Sequence, residues 1–85
     1  MTEVRVLFFA SLRDAVGVDQ LNLPLPNPVN LEALLGLLAA ELEDSALVAL
    51  RAENVRLAVN QELTTGPVLV RPGDEVAFMP PVTGG

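Results

Sequence analysis

Ser11-Leu12-Arg13-Asp14-Ala15-Val16-Gly17 separates two strand-like stretches, and its length decides between two folds. Ser11 to Val16 supplies a single short helical turn, with Gly17 placed to end it. On the N-terminal side, Val4, Val6 and Phe8 alternate with Arg5, Leu7 and Phe9, which predicts a strand over residues 3–10 that is partly apolar on both faces. On the other side, Gln20 to Leu25 alternates more weakly and predicts a second strand, paired with the first as a hairpin. A ferredoxin-like order needs a full helix between the first two strands, and this stretch is short for one.

Farther along, Pro24, Pro26 and Pro28 mark a loop, because proline removes a ladder donor and biases its predecessor away from helix. Asn30 then stands as an N-cap with Glu32 in the first turn, where a negative charge complements the helix dipole. Leu31, Leu34, Leu35, Leu38 and Leu42 recur at helical spacing and predict an amphipathic helix from Leu31 to Glu43, despite Gly36. Ser45, with Asp44 beside it, is placed to cap a second short helix through Leu50. Val55, Leu57 and Val59 alternate with Arg56, Ala58 and Asn60 as a further strand, Val68 to Val70 as a short one, and Glu75 to Met79 as the last. Arg71-Pro72-Gly73-Asp74 sets proline and glycine where a type II turn wants them.

The order strand, strand, helix, strand, short strand, strand predicts an α+β fold. A mixed sheet of about five strands carries one main helix on one face and a short second helix. This is the order of the β-grasp, the ubiquitin-like fold. Residues 1–79 form that domain and residues 80–85 an extended tail. With no internal repeat and no linker, 85 residues make one domain with room for one site or one surface.

Composition narrows the chemistry. Cysteine and histidine are absent, which removes thiol nucleophiles, disulfides, thiolate zinc sites and the usual neutral-pH acid–base group, and argues against an autonomous enzyme. Eleven acidic residues stand against five basic ones, all arginines, for a net charge of -6. That balance argues against nucleic acid, whose binding depends on cationic neutralisation of phosphates; it fits a positively charged protein partner or plain solubility. The N-terminus lacks the basic stretch and apolar core of a signal peptide, and no apolar run reaches membrane-spanning length, so the chain reads as cytoplasmic and not bound to a membrane.

The sequence ends Phe78-Met79-Pro80-Pro81-Val82-Thr83-Gly84-Gly85. Successive glycines remove every side chain near the terminal carboxylate, so that carboxylate can be threaded into a narrow channel. Pro80 and Pro81 stiffen the exit and hold it extended, and the six residues from Pro80 to Gly85 reach roughly 20 Å. Two readings stand: a working tail, or an ordinary frayed terminus. If the helix covers the face of Val4, Val6, Phe8, Val76 and Phe78, then Leu7, Phe9, Ala77 and Met79 lie uncovered, with Leu63 near them. Such a patch marks a protein interface or only scattered exposed apolar residues.

Together these pieces resemble a known family, the small subunit of molybdopterin synthase, a sulfur carrier in molybdenum-cofactor biosynthesis. The resemblance runs nearly end to end, through Val6-Leu7-Phe8-Phe9-Ala10, Val59-Asn60-Gln61, and Gly73-Asp74-Glu75-Val76-Ala77-Phe78-Met79-Pro80-Pro81-Val82-Thr83-Gly84-Gly85. The ending is the specific part. Where members commonly have two adjacent aromatics before the prolines, this chain has Phe78-Met79, and methionine fills an apolar contact as well.

The resemblance implies that Gly85 is adenylated by a ubiquitin-activating-like enzyme using ATP, then converted by a persulfide sulfur donor to a thiocarboxylate. It implies that the tail, Pro80, Pro81, Val82, Thr83 and Gly84, threads into the large synthase subunit, where the sulfur reacts with cyclic pyranopterin monophosphate. It further implies apolar contact of Phe9, Leu63 and Met79 with that subunit, a heterotetrameric assembly, catalytic side chains on the partner, and no permanently bound cofactor or metal. Three alternatives remain open: a ubiquitin-like modifier of lysines, the sulfur carrier for thiazole synthesis, and an interaction module with an incidental tail.

Overall fold

The computed structural model describes residues 2–64 and 66–80. Ten elements follow one another: β1 (Glu3–Phe8), α1 (Ser11–Val16), β2 (Gln20–Pro24), β3 (Val29–Asn30), α2 (Leu31–Ala39), α3 (Asp44–Leu50), β4 (Arg56–Val59), β5 (Glu62–Leu63), β6 (Leu69–Val70) and β7 (Glu75–Met79). The main sheet runs β2-β1-β7-β4-β5, and β3 pairs with β6 in a small second sheet. The first and last strands lie parallel at its centre while β1–β2, β4–β7 and β4–β5 are antiparallel. This is the β-grasp.

The deciding stretch behaves as its length requires. Ser11–Val16 forms a helix of six residues, ended by Gly17 in the left-handed conformation at φ 95°, whose N–H donates to the Arg13 carbonyl at 2.8 Å. Such a connection is compatible with an antiparallel hairpin, and β1 and β2 are antiparallel neighbours from Glu3 opposite Pro24 to Leu7 opposite Gln20.

One face of the sheet carries the core. Val4, Val6, Phe8, Val76 and Phe78 are at most 2% exposed, and they meet Leu12 of α1, Leu34, Leu35 and Leu38 of α2, and Leu47 and Leu50 of α3 in one apolar cluster. Asn30 caps α2 as expected, its Oδ1 accepting the Ala33 N–H at 2.8 Å. The 71–74 turn closes with the Asp74 N–H on the Arg71 carbonyl at 3.0 Å and Gly73 at φ 92°, the conformation a Cβ disfavours.

Several boundaries differ from the sequence reading. The proline loop leads into β3, two residues that pair with β6. Helix α2 ends at Ala39 rather than Glu43: the Ala40 and Glu41 N–H groups bond three residues back, to Leu37 and Leu38, tightening the chain out of the helix. Leu42 keeps its helical spacing only by packing back onto the core. Helix α3 begins at Asp44 with Glu43 at its cap position and no side-chain capping bond, so Ser45 lies inside the first turn and does not cap it.

Candidate functional site

Among the described residues no helix covers the opposite face of the sheet, and strand register determines what stands on it. Leu7 pairs with Ala77, Ala77 with Ala58, and Ala58 with Leu63, forming one transverse row across four strands. The row therefore runs large, small, small, large. Ala58 and Ala77, both below 9% exposed, make a floor between bulkier neighbours. Leu7, Phe9, Leu63, Met79, Gln61 and Glu75 complete a shallow open depression of about 510 Å³.

Local structure places each apolar side chain there. Phe8 and Phe78 pair in the parallel ladder and point into the core, so the alternation of strands turns their neighbours Leu7, Ala77 and Met79 outward. Phe9 is held at the strand end by its N–H on the Phe78 carbonyl at 3.1 Å and by its carbonyl, which accepts the Leu12 N–H at 3.0 Å. It remains 46% exposed. Leu63, 61% exposed, is delivered by the Val59-Asn60-Gln61-Glu62 turn, where Asn60 and Gln61 both have positive φ, as a two-residue hairpin requires.

Asn60 fastens that turn to the root of β7. Its Oδ1 accepts the Glu75 N–H at 3.0 Å, its Nδ2 donates to Asp74 Oδ1 at 3.1 Å, and its own N–H donates to the Glu75 carbonyl at 2.7 Å. Asp74 Oδ2 in turn accepts the Arg71 N–H at 2.9 Å. The chain thus ties the hairpin bearing Leu63 to the strand bearing Met79.

Charge lies at the edges. Arg5 and Glu75, neighbours across β1 and β7, approach to 3.6 Å at one end. At the other end Arg56 pairs with Met79 across β4 and β7 and makes no ion pair among the described residues. No cluster of three metal-ligating side chains occurs among the described residues. The side chains lining the depression include no serine, threonine, cysteine, histidine or lysine, and apart from Gln61 and Glu75 they are apolar, which suits this face to docking.

The structure brings together all three expected contact residues, Phe9, Leu63 and Met79. Pro80 follows Met79 and is half-buried. Pro81, Val82, Thr83, Gly84 and Gly85 lie outside the described residues. Sequence reasoning missed Ala58 and Gln61 as lining residues. The alternation through Val55, Leu57 and Val59 assigns Ala58 to the outer face, but its place beneath Leu63 depends on strand pairing.

Comparison with known proteins agrees with this fold. The model of the ThiS family matches residues 6–85. The molybdopterin synthase sulfur carrier subunit of Escherichia coli (strain K12) is 44% identical, over 96% of this chain and 99% of its own length. Small archaeal modifier protein 1 from Methanosarcina acetivorans superposes with a TM-score of 0.71 at 26% identity, over 100% of this chain and 98% of that one. A chain in the complex of subunits 1 and 2 of the molybdopterin-converting factor from Helicobacter pylori 26695 has the same fold, with a TM-score of 0.60 at 21% identity over 98% and 99% of the two chains.

Proposed function

The chain belongs to the ThiS family, with the molybdopterin synthase sulfur carrier subunits among its relatives, and we propose that it is itself such a carrier, delivering sulfur on the carboxyl of Gly85. One observation carries the reading: Met79 is both a wall of a mainly apolar depression on the sheet face opposite the core and the last β7 residue before the tail. A partner that takes the tail meets this face first.

The division of labour follows from the chemistry. A carboxylate is a poor electrophile until one oxygen is made a leaving group. In the proposed cycle a ubiquitin-activating-like enzyme supplies ATP, the Gly85 carboxylate attacks its α-phosphorus, and pyrophosphate departs. A persulfide sulfur from a donor protein displaces AMP, and a thiol then cleaves the sulfur–sulfur bond, leaving a thiocarboxylate and a disulfide. The soft sulfur reacts with cyclic pyranopterin monophosphate in the large synthase subunit, and water returns Gly85 to a carboxylate. ATP is therefore a co-substrate of the activating partner, and the carrier holds no cofactor of its own. In this reading the cycle runs in the cytoplasm, where ATP is available; no helix among the described residues is long and apolar enough to cross a membrane.

Phe9, Leu63 and Met79 have the role of anchoring residues. Large apolar groups around a small-residue floor accept a protruding side chain from a partner, and desolvation of the patch supplies the attraction. Gly84, Thr83, Val82, Pro81 and Pro80 form the stalk that carries the sulfur inward.

Reconstitution tests the reading. The thiocarboxylated chain, mixed with its large subunit, is expected to convert cyclic pyranopterin monophosphate to molybdopterin, and a chain lacking Gly85 is expected to fold yet support no conversion. Conversion by the shortened chain would overturn it. The similarity to an archaeal modifier protein favours one second reading, attachment of Gly85 to lysines of other proteins. That reading requires Gly-Gly remnants on target lysines in cell extracts. The absence of lysine from this chain rules out attachment to a lysine side chain of a second copy.

A further inference from the structure

Six described residues have positive φ: Gly17, Gly66 and Gly73, and the non-glycines Ala10, Asn60 and Gln61, at 52°, 51° and 70°. A Cβ crowds the backbone in this region, which is why glycine ordinarily occupies it. Asn60 is compensated by its side-chain bonds to Glu75 and Asp74. Ala10 and Gln61 have no such compensation: neither makes a side-chain hydrogen bond among the described residues. Ala10 follows Phe9 in the chain, whereas Gln61 itself stands on the rim of the depression with Leu63 and Glu75.

Gln61 occupies the second central position of the two-residue hairpin turn, where glycine is favoured. Folding alone therefore prefers glycine at this point, and glycine occupies three of the other described positions with positive φ. Strain of this kind clusters at functional sites. The turn also fixes the backbone at Gln61, since Asn60 locks it on one side and β5 pairs with β4 on the other.

We propose that Gln61 is a contact and orienting residue of the docking face. Its carboxamide offers a donor and an acceptor at the rim of a depression whose other lining residues, Glu75 apart, are apolar, and hydrogen-bonds main-chain groups of the large synthase subunit. Apolar packing on Phe9, Leu63 and Met79 is non-directional, whereas a hydrogen bond at the rim sets the angle at which the tail enters the partner. The inference rests on the sulfur-carrier reading and adds to it a residue whose use is in the complex rather than in the fold.

The test compares Gln61→Gly, Gln61→Ala and Leu63→Asp with the unaltered chain in thermal melting and in titration with the purified large subunit. The glycine variant is expected to melt no lower than the unaltered chain, because strain is relieved, and yet to bind about fivefold or more weakly. The alanine variant keeps the strain and is expected to bind as weakly as the glycine variant. A glycine variant that melts lower, or that binds within about twofold of the unaltered chain while Leu63→Asp weakens binding, overturns this inference and leaves the carrier reading standing. Failure of the unaltered chain to bind the large subunit overturns both.

Discussion

Phe8 and Phe78 stack across the parallel pair of β1 and β7, their ring centroids 5.9 Å apart and their planes 13° from parallel. The contact does two things at once. It fills the core between sheet and helices, where the two rings are 1% and 2% exposed. It also holds the register that sends Phe9 and Met79 to the uncovered face.

Phe78→Ala removes the stack and leaves a cavity beneath α2. A loss of about 3–5 kcal/mol is expected for truncating a buried aromatic, a large share of the roughly 5–15 kcal/mol that stabilises a domain. Urea unfolding followed by circular dichroism reads this as a much lower midpoint. A midpoint near that of the unaltered chain would show that the stack does not hold the sheet together.

Gly36 lies in α2, and beyond the helix's own backbone a Cβ there would face open space. Its only effect on the helix is its propensity, so Gly36→Ala is expected to raise stability by about 1 kcal/mol, measured by the same unfolding experiment. Binding to the large subunit should be unchanged, because α2 packs on the face of the sheet opposite the depression.

Leu63→Asp separates docking from folding. Leu63 is well exposed, so the change should alter stability by no more than about 0.5 kcal/mol. A charge set against an apolar contact is expected to weaken binding to the large subunit more than tenfold, roughly the cost of losing an anchoring side chain, as titration calorimetry would record.

Asn60→Gly keeps the turn conformation and removes the carboxamide bonds to Glu75 and Asp74. The expected loss is about 1–2 kcal/mol, and hydrogen exchange of the Glu75 amide should quicken as the tie between β4 and β7 loosens. Unaltered exchange at Glu75 would show that the backbone bonds alone hold this junction.

Most of the apolar face is legible in the sequence, because period-two alternation in β1 and β7 carries both faces of the sheet. The last strand runs Glu75 to Met79 as its sequence predicts, and the same alternation separates Phe8 and Phe78 from Phe9 and Met79. What escaped depends on pairing. Strands β3 and β5 have two residues each and no period to detect. Ala58 becomes the floor of the depression only when β4 lies between β7 and β5. The strain at Gln61 follows from the turn that joins β4 to β5, and nothing in Val59-Asn60-Gln61 alone announces a two-residue hairpin.

The central claim concerns one atom site, the carboxyl of Gly85, and intact-mass spectrometry addresses it most directly. After incubation with the cognate activating enzyme, ATP and a persulfide donor, the chain is expected to gain about 16 Da, the replacement of one oxygen by sulfur, with the gain confined to the C-terminal fragment. An unchanged mass under conditions that charge a known carrier, or a gain located anywhere other than Gly85, would contradict it.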